Sequence, residues 1–269
     1  MLEETIRVLS GASPQLLILA TLVYFFSICL AGLRWTLATR VSLNNLWALV
    51  EALFVGTFVN NVLSFSGAAG EVSRVGWAKL RTDIPLHKLV AGALAERALD
   101  FLMGAVYLLI AAQFLKTVLP VFFLRRRGEQ VRQIARAARE IASEPKLLLL
   151  ILLLSVSIWI LDSLRLLLIS LSFGAQVSFL LAATLTLIGV LVRLIPVPAG
   201  LGFMEGGFAG AMIAYGLSVG EVASIIIAER FITTLLPSLA GGLLVLYRGG
   251  LAALKLATRR ESLEDSLRD

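Results

Sequence analysis

The chain has 269 residues, of which 58% are hydrophobic and only 16% are charged, and its mean hydropathy is +0.91. Ordinary soluble domains are less apolar and more charged, so the composition argues against a soluble domain and predicts an all-α polytopic membrane protein. The net charge of +6 fits cytoplasmic loops beside anionic lipid headgroups rather than a nucleic-acid surface. The single cysteine, Cys29, excludes an intramolecular disulfide.

The first half of the chain contains two apolar segments, a polar segment and a long apolar stretch. Residues 14–38 and 44–65 approach or exceed the roughly 20 apolar residues that cross a bilayer core. Residues 66–80 are too short and too polar to span. Residues 85–124 are too long for one ordinary span, and we expect this stretch to divide near Glu96–Asp100.

The junction at residues 125–146 reads RRRGEQVRQIARAAREIASEPK, with apolar residues at helical spacing. This pattern predicts a basic amphipathic cytoplasmic helix near the membrane surface, and a solvated linker helix stays open. Apolar segments resume at 147–172, 177–195 and 219–247, and a segment broken by proline and glycine lies at 196–216. Because basic clusters mark cytoplasmic loops, we expect the linker and the C-terminus on the cytoplasmic side of the inner membrane.

Polar features recur in the same order about 130 residues apart. Arg34 and Arg165 are separated by 131 residues, and Gly67 and Gly200 by 133. Glu71 and Glu205 are separated by 134 residues, and the Ala-Glu-Arg at 95–97 recurs at 228–230, 133 residues later. This order predicts one membrane domain (1–269) with a first repeat (10–124), the linker (125–146), a second repeat (147–248) and a cytoplasmic tail (249–269). We expect about six to eight membrane segments in two pseudo-symmetric halves, each with a Gly-rich broken or re-entrant helix, as in many transporters. An inverted and a parallel repeat both stay open.

Charged residues inside the apolar segments predict a polar site between helices. Each charge at the bilayer centre costs about 2.5–3.5 kcal/mol, so these side chains must face each other, a wet cavity or the interface. Glu96 and Arg97 are sequence neighbours and point about 100° apart on a helix, so we expect pairing across the repeat or with a glutamate of a break. We also expect unwound backbone at SGAAGE (66–71) and PVPAGLGFME (196–205), leading into helix N-termini that attract anions.

Arginines near these breaks could bind phosphate bidentately, which predicts a cavity for an anionic headgroup. The candidate substrate-binding residues are Asn61, Gly67, Gly70, Glu71, Arg74, Glu96, Arg97, Arg193, Pro198, Gly200, Gly202, Glu205, Glu229 and Arg230. Two structural interpretations stay open: the Ala-Glu-Arg pairs as ion pairs that lock the halves together, and the break glutamates as stabilisers of helix N-termini.

Two stretches of the chain resemble the signature regions of a known family. The first is NNVLSFSGAAGEVSRVGWAKL with the AERALD that follows, and the second is LIPVPAGLGFMEGGFAGAMIAYG with the later AER. The family is the lysylphosphatidylglycerol synthase transmembrane region, also called the flippase-like membrane domain family, and the resemblance covers roughly residues 10–248. It implies a membrane part that moves lipid between leaflets through a cavity built from the two breaks. Because the sequence ends about 20 residues after the last apolar segment, we expect the stand-alone form, without the cytoplasmic synthase domain of the best-known members.

We therefore predict a flippase or transporter of an anionic, aminoacylated or polyprenyl/glycolipid headgroup. We expect no enzymatic activity, no catalytic residues, no cofactor and no metal. The expected partners are membrane lipids with anionic headgroups and a separate lipid-synthesising enzyme, not nucleic acid, and a homodimer stays open. The alternatives are a secondary transporter of a small anionic solute and a non-catalytic assembly factor for an envelope-lipid enzyme. Because the phosphate-binding motif GxxxxGK[ST] does not occur, we expect downhill flow or an ion gradient to drive transport.

Overall fold

A computed structural model describes residues 2–62, 67–114, 144–194 and 203–249, and these residues form helices joined by short connections. The α-helices, in chain order, are α1 (Leu2–Ser10), α2 (Pro14–Ala38), α3 (Leu46–Val62), α4 (Gly67–Arg81), α5 (Leu86–Phe114), α6 (Pro145–Ser172), α7 (Phe179–Leu194), α8 (Phe203–Ala214), α9 (Val219–Arg230) and α10 (Leu236–Leu244). A 3-10 turn precedes α3 at Leu43–Asn45.

Among the described residues, three helical segments are long and apolar enough to cross a membrane: α2, α6 and the continuous helix Val219–Gly249 that contains α9 and α10. Large apolar side chains on these helices stay outside the packed interior, among them Leu22, Leu153 and Leu243. Helices that are apolar on all sides and leave large side chains outward are suited to lipid. The chain is therefore an all-α polytopic integral membrane protein.

Helices α2 and α6 pack along their length and run in opposite directions. At one end, the Ser13 N–H donates to the Ser172 carbonyl at 2.8 Å. At the other end, Arg40 Nη1 lies 3.1 Å from Glu144 Oε1. These helices are the first spans of the two sequence halves, and opposite directions at equivalent positions are what an inverted repeat requires.

The hydrophobic interior of the described residues forms several cores, and two of these contain residues of both sequence halves. The first core lies among α2, α3, α4 and α5 around Trp35 and Leu89, which are fully buried. The second lies among α6, α7, α8 and α9 around Leu166 and Ile225, and it includes Ala20 of α2. A third core joins Ala38 of α2 and Leu99 of α5 to Ile151 of α6. The two halves therefore pack together along the α2–α6 pair, and the charged clusters described below lie beside it.

Helices α3 and α4 form a hairpin whose backbones approach closely at two glycines. A Cβ atom added to Gly56 would lie 2.8 Å from the Gly70 carbonyl oxygen, and one added to Gly70 would lie 2.6 Å from the Gly56 carbonyl oxygen. The prediction that residues 67–71 are unwound is wrong, because α4 begins at Gly67 and includes Glu71. In this helix Gly70 permits close packing instead of backbone unwinding.

Helix α5 runs without interruption for 29 residues from Leu86 to Phe114. The prediction that this stretch divides near Glu96–Asp100 is wrong. A hydropathy pattern treats the charges as a break, whereas their side chains have charged partners on neighbouring helices. Because partners satisfy the charges, the backbone can keep its regular hydrogen bonds through this segment.

The segment Val219–Gly249 is one continuous helix that carries a π-helical turn at Phe231–Leu235, directly after α9. Pro237 follows this turn and has no N–H, so the carbonyl of Thr233 lacks its usual intrahelical partner. The Tyr24 hydroxyl of α2 donates to that carbonyl at 3.1 Å. The first half thus supports the irregular point of the last helix, as expected where a proline interrupts a membrane helix.

Candidate functional site

Six charged side chains from α2, α4 and α5 form a closed ring in which positive and negative groups alternate. The order around the ring is Arg34, Glu96, Arg74, Glu71, Arg97 and Asp100, which returns to Arg34. Three guanidinium groups balance three carboxylates, so the ring carries no formal net charge. We call this cluster the charge ring.

The inner part of the charge ring is buried. Glu96 accepts hydrogen bonds from Arg34 Nε and from Arg74 Nη1, each at 3.1 Å. Arg34 Nη1 donates to Asp100 Oδ1 at 2.8 Å and to Ser155 Oγ of α6 at 3.1 Å. The side chains of Arg34, Arg74 and Glu96 are each less than a tenth exposed. This arrangement satisfies the buried charges and joins the two halves through Ser155.

The outer part of the charge ring is accessible. Glu71 Oε2 accepts a hydrogen bond from Arg74 Nε at 2.8 Å, and Glu71 Oε1 accepts one from Arg97 Nη2. Arg97 Nη1 lies 3.9 Å from Asp100 Oδ2, which closes the ring. The side chain of Arg97 is 46% exposed and that of Glu71 is 32% exposed. The ring therefore extends from the packed interior to an open edge formed by these two residues.

The electrostatic balance at the open edge favours an ionised Glu71. Burial raises the pKa of the Glu71 carboxyl, but the guanidinium groups of Arg74 and Arg97 lower it by more, and the net pKa lies below its ordinary value. Glu71 is therefore a carboxylate at neutral pH, held by two arginines.

Helical spacing brings the ring members together. Glu96 and Asp100 are four residues apart on α5, and Glu71 and Arg74 are three apart on α4, so each pair lies on one helix face. The Arg74 guanidinium lies over the Trp35 ring, 4.6 Å from its centroid. A cation over an aromatic face keeps favourable electrostatics without water, which helps Arg74 to remain buried.

A second charged cluster lies between α6 and α9. Arg165 Nη2 and Nε donate to the two carboxylate oxygens of Glu229 at 2.8 and 3.3 Å, and Nη1 donates to Asp162 at 2.6 Å. The Arg165 guanidinium lies 5.3 Å from the centroid of the Tyr24 ring. Ser27 of α2 lies 3.4 Å from Asp162, so this cluster also touches the other half.

The two clusters share one arrangement. In each half an arginine of the first span binds the glutamate of the Ala-Glu-Arg tripeptide: Arg34 binds Glu96, and Arg165 binds Glu229. The expectation that these glutamates pair across the repeat is wrong, since their partners lie within the same half. Arg97 does pair with a break glutamate, Glu71.

Some candidate residues lie outside the charge ring. Asn61 Nδ2 donates to Ser238 Oγ at 2.7 Å and lies 3.5 Å from the Thr234 carbonyl, so it joins α3 to the last helix. Gly67 begins α4, and Arg230 ends α9 beside Glu229 of the second cluster. The predictions at Pro198, Gly200 and Gly202, and those on the side chains of Arg193 and Glu205, lie outside the part of the chain that the structure describes.

The candidate set omitted the partners that complete both clusters, namely Arg34, Asp100, Asp162 and Arg165. A signal for them was present in the sequence. Glu96 and Asp100 are four residues apart, Asp162 and Arg165 are three apart, and such spacings place charges on one helix face. The spacing alone does not say which helix supplies the opposite charge.

Comparison with known proteins gives a family match over most of the chain. The model of the lysylphosphatidylglycerol synthase TM region matches residues 1–124 and 117–241. A UPF0104 membrane protein of Pyrococcus horikoshii is 22% identical, covering 91% of this chain and 90% of the relative. A UPF0104 membrane protein of Methanothermobacter thermautotrophicus is 24% identical, covering 95% and 91%, and one of Methanocaldococcus jannaschii is 21% identical, covering 89% and 87%. No solved structure gives a significant match.

Proposed function

Since the chain belongs to the family of the lysylphosphatidylglycerol synthase transmembrane region, we propose that it moves the headgroup of an anionic lipid across the membrane. The activity is transport, not catalysis. The observation that carries the proposal is the charge ring, which holds three guanidinium groups where the membrane-spanning helix α2 meets α4 and α5, and presents one of them, Arg97, at an open edge.

The ring suits a phosphate-containing headgroup. Guanidinium groups bind phosphate oxygens through paired hydrogen bonds, and they keep their charge in apolar surroundings. The outer faces of the neighbouring helices are apolar, with large exposed side chains such as Leu22 on α2 and Val90 on α5. Acyl chains can stay against these faces while the headgroup passes through the polar interior.

In this proposal the two halves supply two related binding sites for a headgroup. The antiparallel pair α2–α6 supports an inverted repeat, so the clusters around Arg34 and Arg165 would approach the headgroup from opposite directions across the membrane. In this scheme the linker 125–146 and the C-terminus face the cytoplasm, and the protein lies in the inner membrane. Alternate opening of the two halves would move the headgroup between leaflets.

The proposal is tested by reconstitution. Purified protein is placed in vesicles that contain trace fluorescent phosphatidylglycerol or, separately, fluorescent phosphatidylcholine, and an external quencher reports the fraction of probe in the outer leaflet. We expect faster exchange of the phosphatidylglycerol probe than in protein-free vesicles, and we expect Arg97→Gln to slow it at least tenfold. Arg40→Gln is the matched control, since Arg40 forms a half-exposed pair with Glu144 outside the ring.

Two results would count against lipid transport. Equal rates of phosphatidylglycerol exchange between leaflets with and without protein would refute the proposed activity. The second result is uptake of radiolabelled phosphate into the same vesicles without lipid exchange. If Arg97→Gln abolishes this uptake, the site binds a small anionic solute instead of a lipid headgroup.

A further inference from the structure

We propose that the Glu71 carboxylate occupies the place of the headgroup phosphate in the resting protein, and that an anionic phosphodiester binds Arg97 and Arg74 by displacing it. The inference deepens the proposed function and rests on it. It assigns Glu71 as an internal competitor of the ligand, not as a ligand contact.

The position of Glu71 carries the first step. Of the three carboxylates of the charge ring, Glu71 has the most exposed side chain, at 32%, compared with 16% for Asp100 and 3% for Glu96. Glu71 and Asp100 each bridge a buried arginine and the half-exposed Arg97, but Glu71 accepts a hydrogen bond from Arg97, whereas Asp100 Oδ2 lies 3.9 Å from Arg97 Nη1. A ligand that arrives at the open edge therefore meets Arg97 and Glu71 first.

Chemical similarity carries the second step. A carboxylate and a phosphodiester each present two acceptor oxygens that share one negative charge, and both match the donor geometry of guanidinium groups. When Glu71 moves away, Arg74 keeps Glu96 at 3.1 Å and Arg97 keeps Asp100 at 3.9 Å. Neither arginine then loses every charged partner, so displacement leaves no buried charge wholly unpaired.

Charge balance carries the third step. With Glu71 displaced, three guanidinium groups remain with two carboxylates, and the ring has a formal charge of +1. A phosphodiester of charge −1 restores neutrality. The class of ligand that fits is therefore a monoanionic phosphodiester, as in the headgroup of phosphatidylglycerol.

The test measures binding of dioctanoyl phosphatidylglycerol to detergent-purified protein by calorimetry. Glu71→Gln removes the competing charge and retains the side-chain size, so we expect it to bind this lipid about tenfold more tightly than the wild-type chain, the scale of one charge-assisted hydrogen bond. Asp100→Asn is the matched control, because it also adds one positive charge to the ring beside Arg97. We expect it to gain less than threefold.

The outcomes separate the inference from the proposed function. If the wild-type chain binds the lipid and Glu71→Gln binds it equally or more weakly, Glu71 is not a competitor and the inference is overturned alone. Equal gains in Glu71→Gln and Asp100→Asn also overturn it, since a general increase in positive field would explain them. If neither the wild-type chain nor Glu71→Gln binds the lipid, both the inference and the proposed function fail.

Two further arms complete the design. Inorganic phosphate replaces the lipid in a parallel titration, and a gain seen with phosphate but not with lipid supports displacement while rejecting a lipid ligand. If Glu71→Gln does not yield folded protein, Glu71→Asp replaces it. The shorter carboxylate keeps the charge but reaches Arg97 less well, and we expect lipid binding to tighten here too, whereas unchanged or weaker binding overturns the inference.

Discussion

The strongest stability prediction concerns Glu96, the buried carboxylate between two arginines. Its side chain is 3% exposed and accepts two guanidinium hydrogen bonds at 3.1 Å. Glu96→Gln keeps the shape and removes the charge, which leaves Arg34 and Arg74 with one carboxylate each and the ring with a formal charge of +1. Removing one partner from a buried ion pair costs about 3–5 kcal/mol. We expect a loss near the lower end, about 3 kcal/mol, because both arginines keep a partner.

The assay is reversible unfolding in mixed micelles at increasing fractions of sodium dodecyl sulfate, followed by tryptophan fluorescence. Glu96→Gln combined with Arg74→Gln restores a neutral cluster, so we expect the double variant to be about 1–3 kcal/mol more stable than the sum of the single losses predicts. Glu144→Gln is the control, since its half-exposed pair with Arg40 should contribute less than about 1 kcal/mol. A loss below about 0.5 kcal/mol in Glu96→Gln, or additive losses in the double variant, would refute the account of the ring as one neutral unit.

Three further predictions follow from other contacts. Because the pKa of Glu71 is lowered from its ordinary value of 4.5, its stabilising contribution should be complete above that pH and disappear as the pH falls below it. When unfolding is measured at decreasing pH, the unfolding free energies of the wild-type chain and of Glu71→Gln should therefore converge. Gly70→Ala should lower the unfolding free energy by about 1–3 kcal/mol, because the added methyl group overpacks against α3. Gly76→Ala, with open space around its Cβ, should raise the unfolding free energy by about 0.5–1 kcal/mol. The same micelle assay measures both variants, and equal effects would contradict the packing role of Gly70. Tyr24→Phe should cost about 1 kcal/mol in the wild-type chain and much less in a Pro237→Ala background, where the restored N–H can bond the carbonyl that the hydroxyl now serves.

Much of the membrane architecture could be predicted from hydropathy and from the order of polar residues. The all-α membrane class and the family are confirmed. The recurrence of Ala-Glu-Arg located Glu96 and Glu229, and the structure gives them equivalent arginine partners, Arg34 and Arg165. These features could be predicted because the cost of placing a charge among apolar residues leaves few acceptable environments for it.

Other features could not be predicted, because a linear pattern does not identify partners in space. The charges of α5 suggested a break, but arginines on α2 and α4 pair with its carboxylates, Glu71 of α4 pairs with Arg97, and the helix continues. Gly70 suggested unwound backbone, but its role depends on Gly56 of the neighbouring helix. A glycine that unwinds a helix and one that admits a neighbour look the same in sequence. The partner of each carboxylate in the charge ring likewise depends on how the helices pack.

From the charge ring we also expect an order in which the helices of the first half enter the membrane during synthesis. All six members lie between residues 34 and 100, within the first half of the chain. Helix α5 carries three of them, and at about 2.5–3.5 kcal/mol for each charge it partitions poorly into lipid as an isolated segment. Helix α2 carries a single ring member, Arg34, in a segment of high hydropathy, and it is synthesised first. Helix α2 would then be inserted with Arg34 before α5 is synthesised, and the charges of α5 would enter the bilayer by pairing with Arg34 and α4. The charge ring of the first half can therefore assemble as a neutral unit before the second half leaves the ribosome.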